Sequence, residues 1–324
     1  MKQFLKILSA VVLLIVIVCG TSYLADTTTY THWKITHTAP SISWAKFEWA
    51  NDNLGGKHFE KTAMLVPCTI EGVKNPVTFQ FDLGADLTGV YENTFTSFYT
   101  QSPLLQHKIK RFKSSLQFWN KNKCIENVEI HFGDYTAVNT TGFIYKGYGE
   151  QKELHNTSDT VHLGSIGTDL FKNKVLIIDY PNKQFAICET IPPGYQQNLV
   201  DIEISNQNKI ILPMTLKGKK YRIMFDNGSS IFPLITLAKN ISNFSGAADS
   251  DTIEISSWGK TDMVTGKLLK DTFELAGKKF SNIKVYANHS GLGIDDKTDG
   301  MTGNALFWNN TIIIDFKNRK FGIQ

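Results

Sequence analysis

Gly164-Ser-Ile-Gly-Thr-Asp-Leu-Phe-Lys-Asn-Lys-Val-Leu-Ile-Ile-Asp-Tyr-Pro-Asn-Lys-Gln-Phe-Ala-Ile187 recurs without a gap as Gly300-Met-Thr-Gly-Asn-Ala-Leu-Phe-Trp-Asn-Asn-Thr-Ile-Ile-Ile-Asp-Phe-Lys-Asn-Arg-Lys-Phe-Gly-Ile323. Eleven of the 24 positions are identical, too many for chance at this length. Two shorter blocks repeat upstream in the same order. Val66-Pro-Cys-Thr-Ile-Glu-Gly72 matches Leu212-Pro-Met-Thr-Leu-Lys-Gly218, and Phe81-Asp-Leu-Gly-Ala85 matches Phe225-Asp-Asn-Gly-Ser229. A period of roughly 140 residues is far too long for a solenoid. It describes two homologous lobes. A pseudo-two-fold axis between such lobes sets equivalent residues opposite each other.

Outward from the repeat, short runs of Val, Ile, Phe and Thr alternate with Gly and Asn turns, and few segments carry a helical period. The fold class read from this pattern is mostly β. Pro192-Pro193-Gly194 is a natural joint. The expected division is residues 1–25 as a signal peptide or N-terminal membrane anchor and 26–58 as an arm or linker that packs onto the body. Residues 59–192 then form the first lobe and 193–324 the second.

Composition removes several function classes. Of the 324 residues, 42% are apolar and 20% charged, which excludes a disordered chain. The net charge of +4 comes with no Lys/Arg block, so nothing favours nucleic acid. No Gly-rich loop precedes Lys-Ser/Thr, no nucleophile elbow surrounds Ser229 or Ser230, and no His pair has metal spacing. No metal or other cofactor is therefore expected. Cys68, Cys124 and Cys188 lack paired zinc spacing and read as small buried apolar residues.

Lys2 and Lys6 precede an apolar run from Ile7 to Gly20. A positive start and about 14 apolar residues fit a secretory signal better than a full span of about 20. The body is thus expected outside the cytoplasm, whether secreted, periplasmic or membrane-anchored. Cleavage after Gly20 and retention as a tether through residues 4–25 both remain open on these residues.

The chemistry lies in the two Asp-x-Gly turns. Asp82 follows Val77-Thr-Phe-Gln-Phe81, and Asp226 follows Tyr221-Arg-Ile-Met-Phe225. An acid leaving a buried strand is costly unless it is hydrogen-bonded or paired. Gly84 and Gly228 let the backbone approach and supply N–H groups. Two facing carboxylates cannot both ionise easily and share one proton. The ionised member can draw a proton from a water between them while the protonated member polarises a peptide carbonyl. Asp179 and Asp315 also repeat, but each precedes a turn and reads as a hairpin aspartate.

The duplicated apolar-apolar-Asp-x-Gly-Ala/Ser signature, with Ile166-Gly167 and Thr302-Gly303 downstream, resembles the pepsin/retropepsin family of aspartic peptidases across residues 60–324. The resemblance implies a bilobal acid-protease fold of two β-barrel-like lobes around a cleft. It implies endopeptidase activity on a peptide or protein substrate, with Asp82 and Asp226 as the catalytic dyad. Gly84, Ala85, Asn227, Gly228 and Ser229 would support it, Ser229 through the outer oxygen of Asp226. The family carries Thr or Ser after each Asp, where this chain has Leu83 and Asn227. Leu83 offers no hydroxyl, and Asn227 offers an amide instead. That departure keeps a second reading open: an inactive fold that binds a peptide or partner protein in its cleft. Trp119 stands near the position of the family's flap aromatic. One chain holds both acids, so a monomer is expected.

Overall fold

The computed structural model describes residues 33–37, 42–111, 123–151, 158–244, 248–257, 259–291, 293–294 and 297–324. The readings of residues 1–25 and of Trp119 lie outside the described residues. Among the described residues no helix is long and apolar enough to cross a membrane.

The molecule is mostly β, with two lobes built on large sheets and a third sheet joining them. In the first lobe six strands pair in a closed circuit. Lys57–Ile70 pairs with Val77–Phe81, then Val161–Ile166, Gly89–Tyr91, Tyr135–Tyr145 and Lys123–Phe132, which returns to Lys57–Ile70. The second lobe repeats the circuit through Ile210–Leu216, Lys219–Phe225, Gly300–Thr302, Leu234–Leu237, Ile283–Asn288 and Lys260–Leu269. There the chain breaks briefly after Leu269 and resumes as Phe273–Leu275, which closes onto Ile210–Leu216. Both lobes are therefore barrel-like.

The joining sheet carries the repeat quoted from the sequence. Val175–Asp179 and Thr311–Asp315 lie antiparallel, with Ile177 opposite Ile313. These two are each other's counterparts in the repeat. The flanking pairs exchange partners, Val175 with Asp315 and Asp179 with Thr311. The pseudo-two-fold axis thus passes between Ile177 and Ile313. All five residues of Val175–Asp179 are buried. A strand covered on both faces reads as a continuous apolar run rather than an alternating one, as Val-Leu-Ile-Ile does here. Each fully buried Ile contributes about 1.5–3 kcal/mol, so the symmetric seam also holds the lobes together.

The described residues before 59 pair with the body. Trp33–His37 adds a strand to Tyr135–Tyr145, and Ala45–Lys46 adds one to Gln184–Cys188. Glu48–Leu54 forms a hairpin with Lys57–Ile70. That hairpin bridges the lobes: the Ser230 hydroxyl donates to Lys61 O at 2.6 Å, and Phe59 packs on a second-lobe apolar cluster. Cys68, Cys124 and Cys188 are free thiols, the first two buried and the third partly exposed.

Candidate active site

Each acid turn hangs on the strand threaded through its lobe. The Asp82 N–H donates to Ile166 O at 3.0 Å, and the Asp226 N–H donates to Thr302 O at 2.9 Å. The following glycines make the threading possible. A Cβ on Gly167 would stand 2.7 Å from Leu87 C, and one on Gly303 would stand 1.8 Å from Ser229 O. Both glycines have ordinary negative φ, so the requirement is for space and not for a left-handed backbone.

The turns close identically: Ala85 N–H donates to Asp82 O and Ser229 N–H to Asp226 O, both at 3.1 Å. Gly84 and Ala85 N–H groups then reach Asp82 Oδ1 at 2.9 and 3.1 Å, while Gly228 N–H reaches Asp226 Oδ1 at 2.8 Å. The Ser229 hydroxyl makes no described bond to Asp226; this residue supports the turn through its N–H. Each glycine also lies against the opposite acid. A Cβ on Gly84 would sit 2.4 Å from Asp226 Oδ2, and one on Gly228 would sit 2.6 Å from Asp82 Oδ1. The symmetry axis that pairs Ile177 with Ile313 thereby brings the two carboxyls together.

Electrostatics follow from that closeness. Burial lifts Asp82 far above the ordinary carboxylate range, and the charge of Asp226 lifts it further. Burial also raises Asp226, against the Gly228 N–H and a nearby lysine. The hydrogen bond between them raises Asp82 and lowers Asp226. Both carboxyls are raised, so the pair holds one proton between them rather than ionising together. The titration belongs to the pair.

Leu83 and Asn227 take up the place of the missing hydroxyls. Both side chains are fully buried. The Leu83 N–H donates across the interface to Asn227 Oδ1 at 2.5 Å. Asn227 Nδ2 rests on Met64 Sδ at 3.6 Å, and the Asn227 carbonyl accepts from Asn304 Nδ2 at 2.7 Å. The base of the site is thus braced by one amide from the second lobe, with Leu83 as apolar packing.

The lysine beside the dyad is Lys209, which enters from the second lobe. It donates to Gly84 O and forms a 2.6 Å charge contact with Asp86 Oδ1. Tyr91 stands on the other side, its hydroxyl 2.6 Å from Ser165 Oγ, and feels the charge of Asp82. These groups border a cleft of about 870 Å³ that runs between the lobes and includes Asp82, Gly84, Asp226, Gly228 and Ser229. Among the described residues no group of three or more His, Cys, Asp or Glu side chains could hold a metal ion.

A comparison with solved structures finds the aspartic proteinase from Irpex lacteus, 10% identical, with 87% of this chain and 97% of that chain covered and a TM-score of 0.47. No family model matches the sequence, and no relative is found among curated proteins.

Asp179 and Asp315 are turn aspartates, as their repeat predicts. They accept from Asn182 Nδ2 and Asn318 Nδ2, each at 2.8 Å. Sequence reasoning gave no role to Asp86, Asp169, Lys209 or Tyr91. Lys209 has Ala63 as its repeat counterpart, so it leaves no duplicated trace. Asp169 is buried behind the first turn, where it accepts from Thr88 N–H and Oγ1 at 2.7 Å and from Trp33 Nε1 at 2.9 Å. Thr88 Oγ1 in turn accepts from Gly167 N–H at 2.9 Å. Burial pushes Asp169 from 3.8 up to about 7, against those hydrogen bonds. A carboxyl raised on folding supports the fold fully below its unfolded value, and that support is lost as pH rises through the folded value. Melting temperature should therefore fall more steeply between about pH 4 and pH 7 in the native protein than in Asp169→Asn. Parallel melting curves across that range would overturn this assignment.

Proposed function

We propose that this protein is an exported aspartic endopeptidase of the pepsin-like kind, which hydrolyses extended peptides in the interlobe cleft. The observation that carries the reading is the reciprocal seating of Asp82 and Asp226, each against the glycine of the opposite turn. The ionised member of the pair draws a proton from a water that attacks the peptide carbonyl. The protonated member donates to the carbonyl oxygen, and the tetrahedral intermediate collapses as the amine takes up a proton from the carboxyl that received the water's proton. The Gly84, Ala85 and Gly228 N–H groups hold both acids in place through this cycle. Export rests on the Lys2/Lys6 start and the apolar run to Gly20.

The test is digestion of a denatured protein by the purified chain freed of residues 1–25, from about pH 3 to neutrality, where the raised dyad retains one proton. Cutting at discrete bonds supports the proposal. Intact substrate throughout overturns it and leaves the second reading, an inactive fold that binds a peptide. That reading draws on the bracing at the site base, which is a single amide contact where Leu83 contributes no side-chain bond.

Lys209 lowers both acids by its charge. Lys209→Met removes that charge, so the dyad ionises at higher pH. The pH–rate profile should move upward by up to about one unit, whereas Lys209→Arg should hold it in place. An unmoved profile in Lys209→Met would show that the lysine acts only on packing.

A further inference from the structure

The two halves of the cleft are related by the internal symmetry, but their chemistry is not. Gln80 and Met224 occupy equivalent places, each two residues before its aspartate. On a strand, that spacing returns a side chain to the same face, and both line the cleft. Ser165 and Met301 are also counterparts, each one residue after the first glycine of its repeat. Met301 lines the second-lobe half directly, while Ser165 is buried and holds the Tyr91 hydroxyl, which lines the first-lobe half. His162 stands beside Tyr91, ring centroids 5.4 Å apart, and shares the same wall.

Apolar packing follows the same division. Met224, Met301 and Ile235 belong to a second-lobe cluster that is separate from the main core and comes to the surface in the cleft. Phe59 of the first lobe also packs on this cluster, whereas Val66, Phe79 and Phe81 belong to the main core. At these counterpart positions the cleft therefore presents amide, phenol and imidazole groups on one side of the acids and thioether and aliphatic groups on the other, while Leu65 also lines the first side and Glu254 and Ser257 the second.

We infer that the cleft selects peptides in which one residue flanking the cut bond is large and apolar and the other carries a hydrogen-bonding side chain. The apolar side chain lies on Met224, Ile235 and Met301, and the polar one lies against Gln80, Tyr91 and His162. This inference rests on the peptidase reading. An apolar pocket discriminates by size and dryness, and a wall built to hydrogen-bond rejects a side chain that leaves its groups unpaired. Two equally apolar walls would show neither behaviour.

The experiment uses a mixture of synthetic peptides with varied residues at two adjacent positions. Cut sites are mapped by mass spectrometry for the native protein, Gln80→Met and Met224→Gln. The same peptides are scored by fluorescence for binding to Asp82→Asn. The native protein should prefer an apolar–polar pair over an apolar–apolar pair by roughly tenfold or more. Gln80→Met should erase most of that preference, and Met224→Gln should weaken the demand for the apolar residue. Thermal melts identify any variant that fails to fold, and binding to Asp82→Asn then reports the preference unaided. Cutting or binding of apolar–apolar pairs at an equal level overturns the inference. Binding with the expected preference but no cutting by the native protein keeps the inference and overturns the peptidase reading. Neither binding nor cutting of any peptide overturns both.

Discussion

Asp82→Asn and Asp226→Asn are each expected to abolish cutting of a denatured protein while the fold persists. The two carboxyls divide the work of one proton transfer, and an amide can neither accept the water's proton nor supply one to the carbonyl oxygen. Loss of a positioned acid or base removes about 10²–10⁴-fold in rate, and here each substitution also ends the sharing of one proton by the pair. Stability should change in the opposite direction. Asp82 is raised on folding, first by burial and then by Asp226. Its support for the fold is present below the unfolded value of 3.8 and is lost as pH rises through the folded value. The native protein therefore bears the strain of two buried acids at neutral pH, and Asp82→Asn does not. Melting temperatures of Asp82→Asn should exceed those of the native protein near neutrality, with the difference closing in acid. Cleavage that survives either substitution would sink the dyad. Loss of cleavage with a lower melting temperature at neutral pH would sink the electrostatic account of it.

Gly303→Ala should damage the fold itself. The added Cβ would stand 1.8 Å from the carbonyl oxygen of Ser229 and 2.9 Å from that of Phe232. Both are backbone atoms of the second active-site turn, so no side-chain rotation can relieve the clash. Overpacking a core costs about 1–3 kcal/mol when side chains can yield, and a backbone contact should reach or pass the upper end of that range. The Gly303 N–H to Phe232 O bond at 2.9 Å would be displaced with it. Urea unfolding should show a large fall in midpoint, with cutting lost in parallel. Gly218→Ala is the control: nothing lies within 4 Å of a Cβ there, although φ is +76°. That change carries only backbone strain, and its midpoint should fall less. An unchanged midpoint in Gly303→Ala would mean that the second-lobe strand does not thread beneath the turn as described.

Much of this arrangement was legible in the repeat. Gly167 and Gly303 recur because each strand passes under a turn with no room for a methyl group, and a steric demand of that kind leaves the same letter twice. Asp82 and Asp226 recur because symmetry sets them face to face. Lys209, Asp169 and the Trp33 contact were not legible. Each is made by residues far apart in the chain, Trp33 and Asp169 being 136 positions apart, and each breaks the symmetry, so no second copy marks it. Asn227 was legible only as a departure from the Thr or Ser pattern. Its role lies in a contact across the lobes, its Oδ1 accepting from the Leu83 N–H.

The sequence alone determined that the chain is two copies of one β unit with an acid turn in each, because duplicated steric and hydrogen-bonding demands persist as matching residues. It determined neither the lysine charge beside the pair nor the character of the cleft walls. Those depend on what the opposite lobe brings to each acid, which only the packing of one copy against the other decides. The second lobe brings both a lysine and an amide to the first turn, and unlike side chains stand at counterpart positions on the two sides of a symmetric pair.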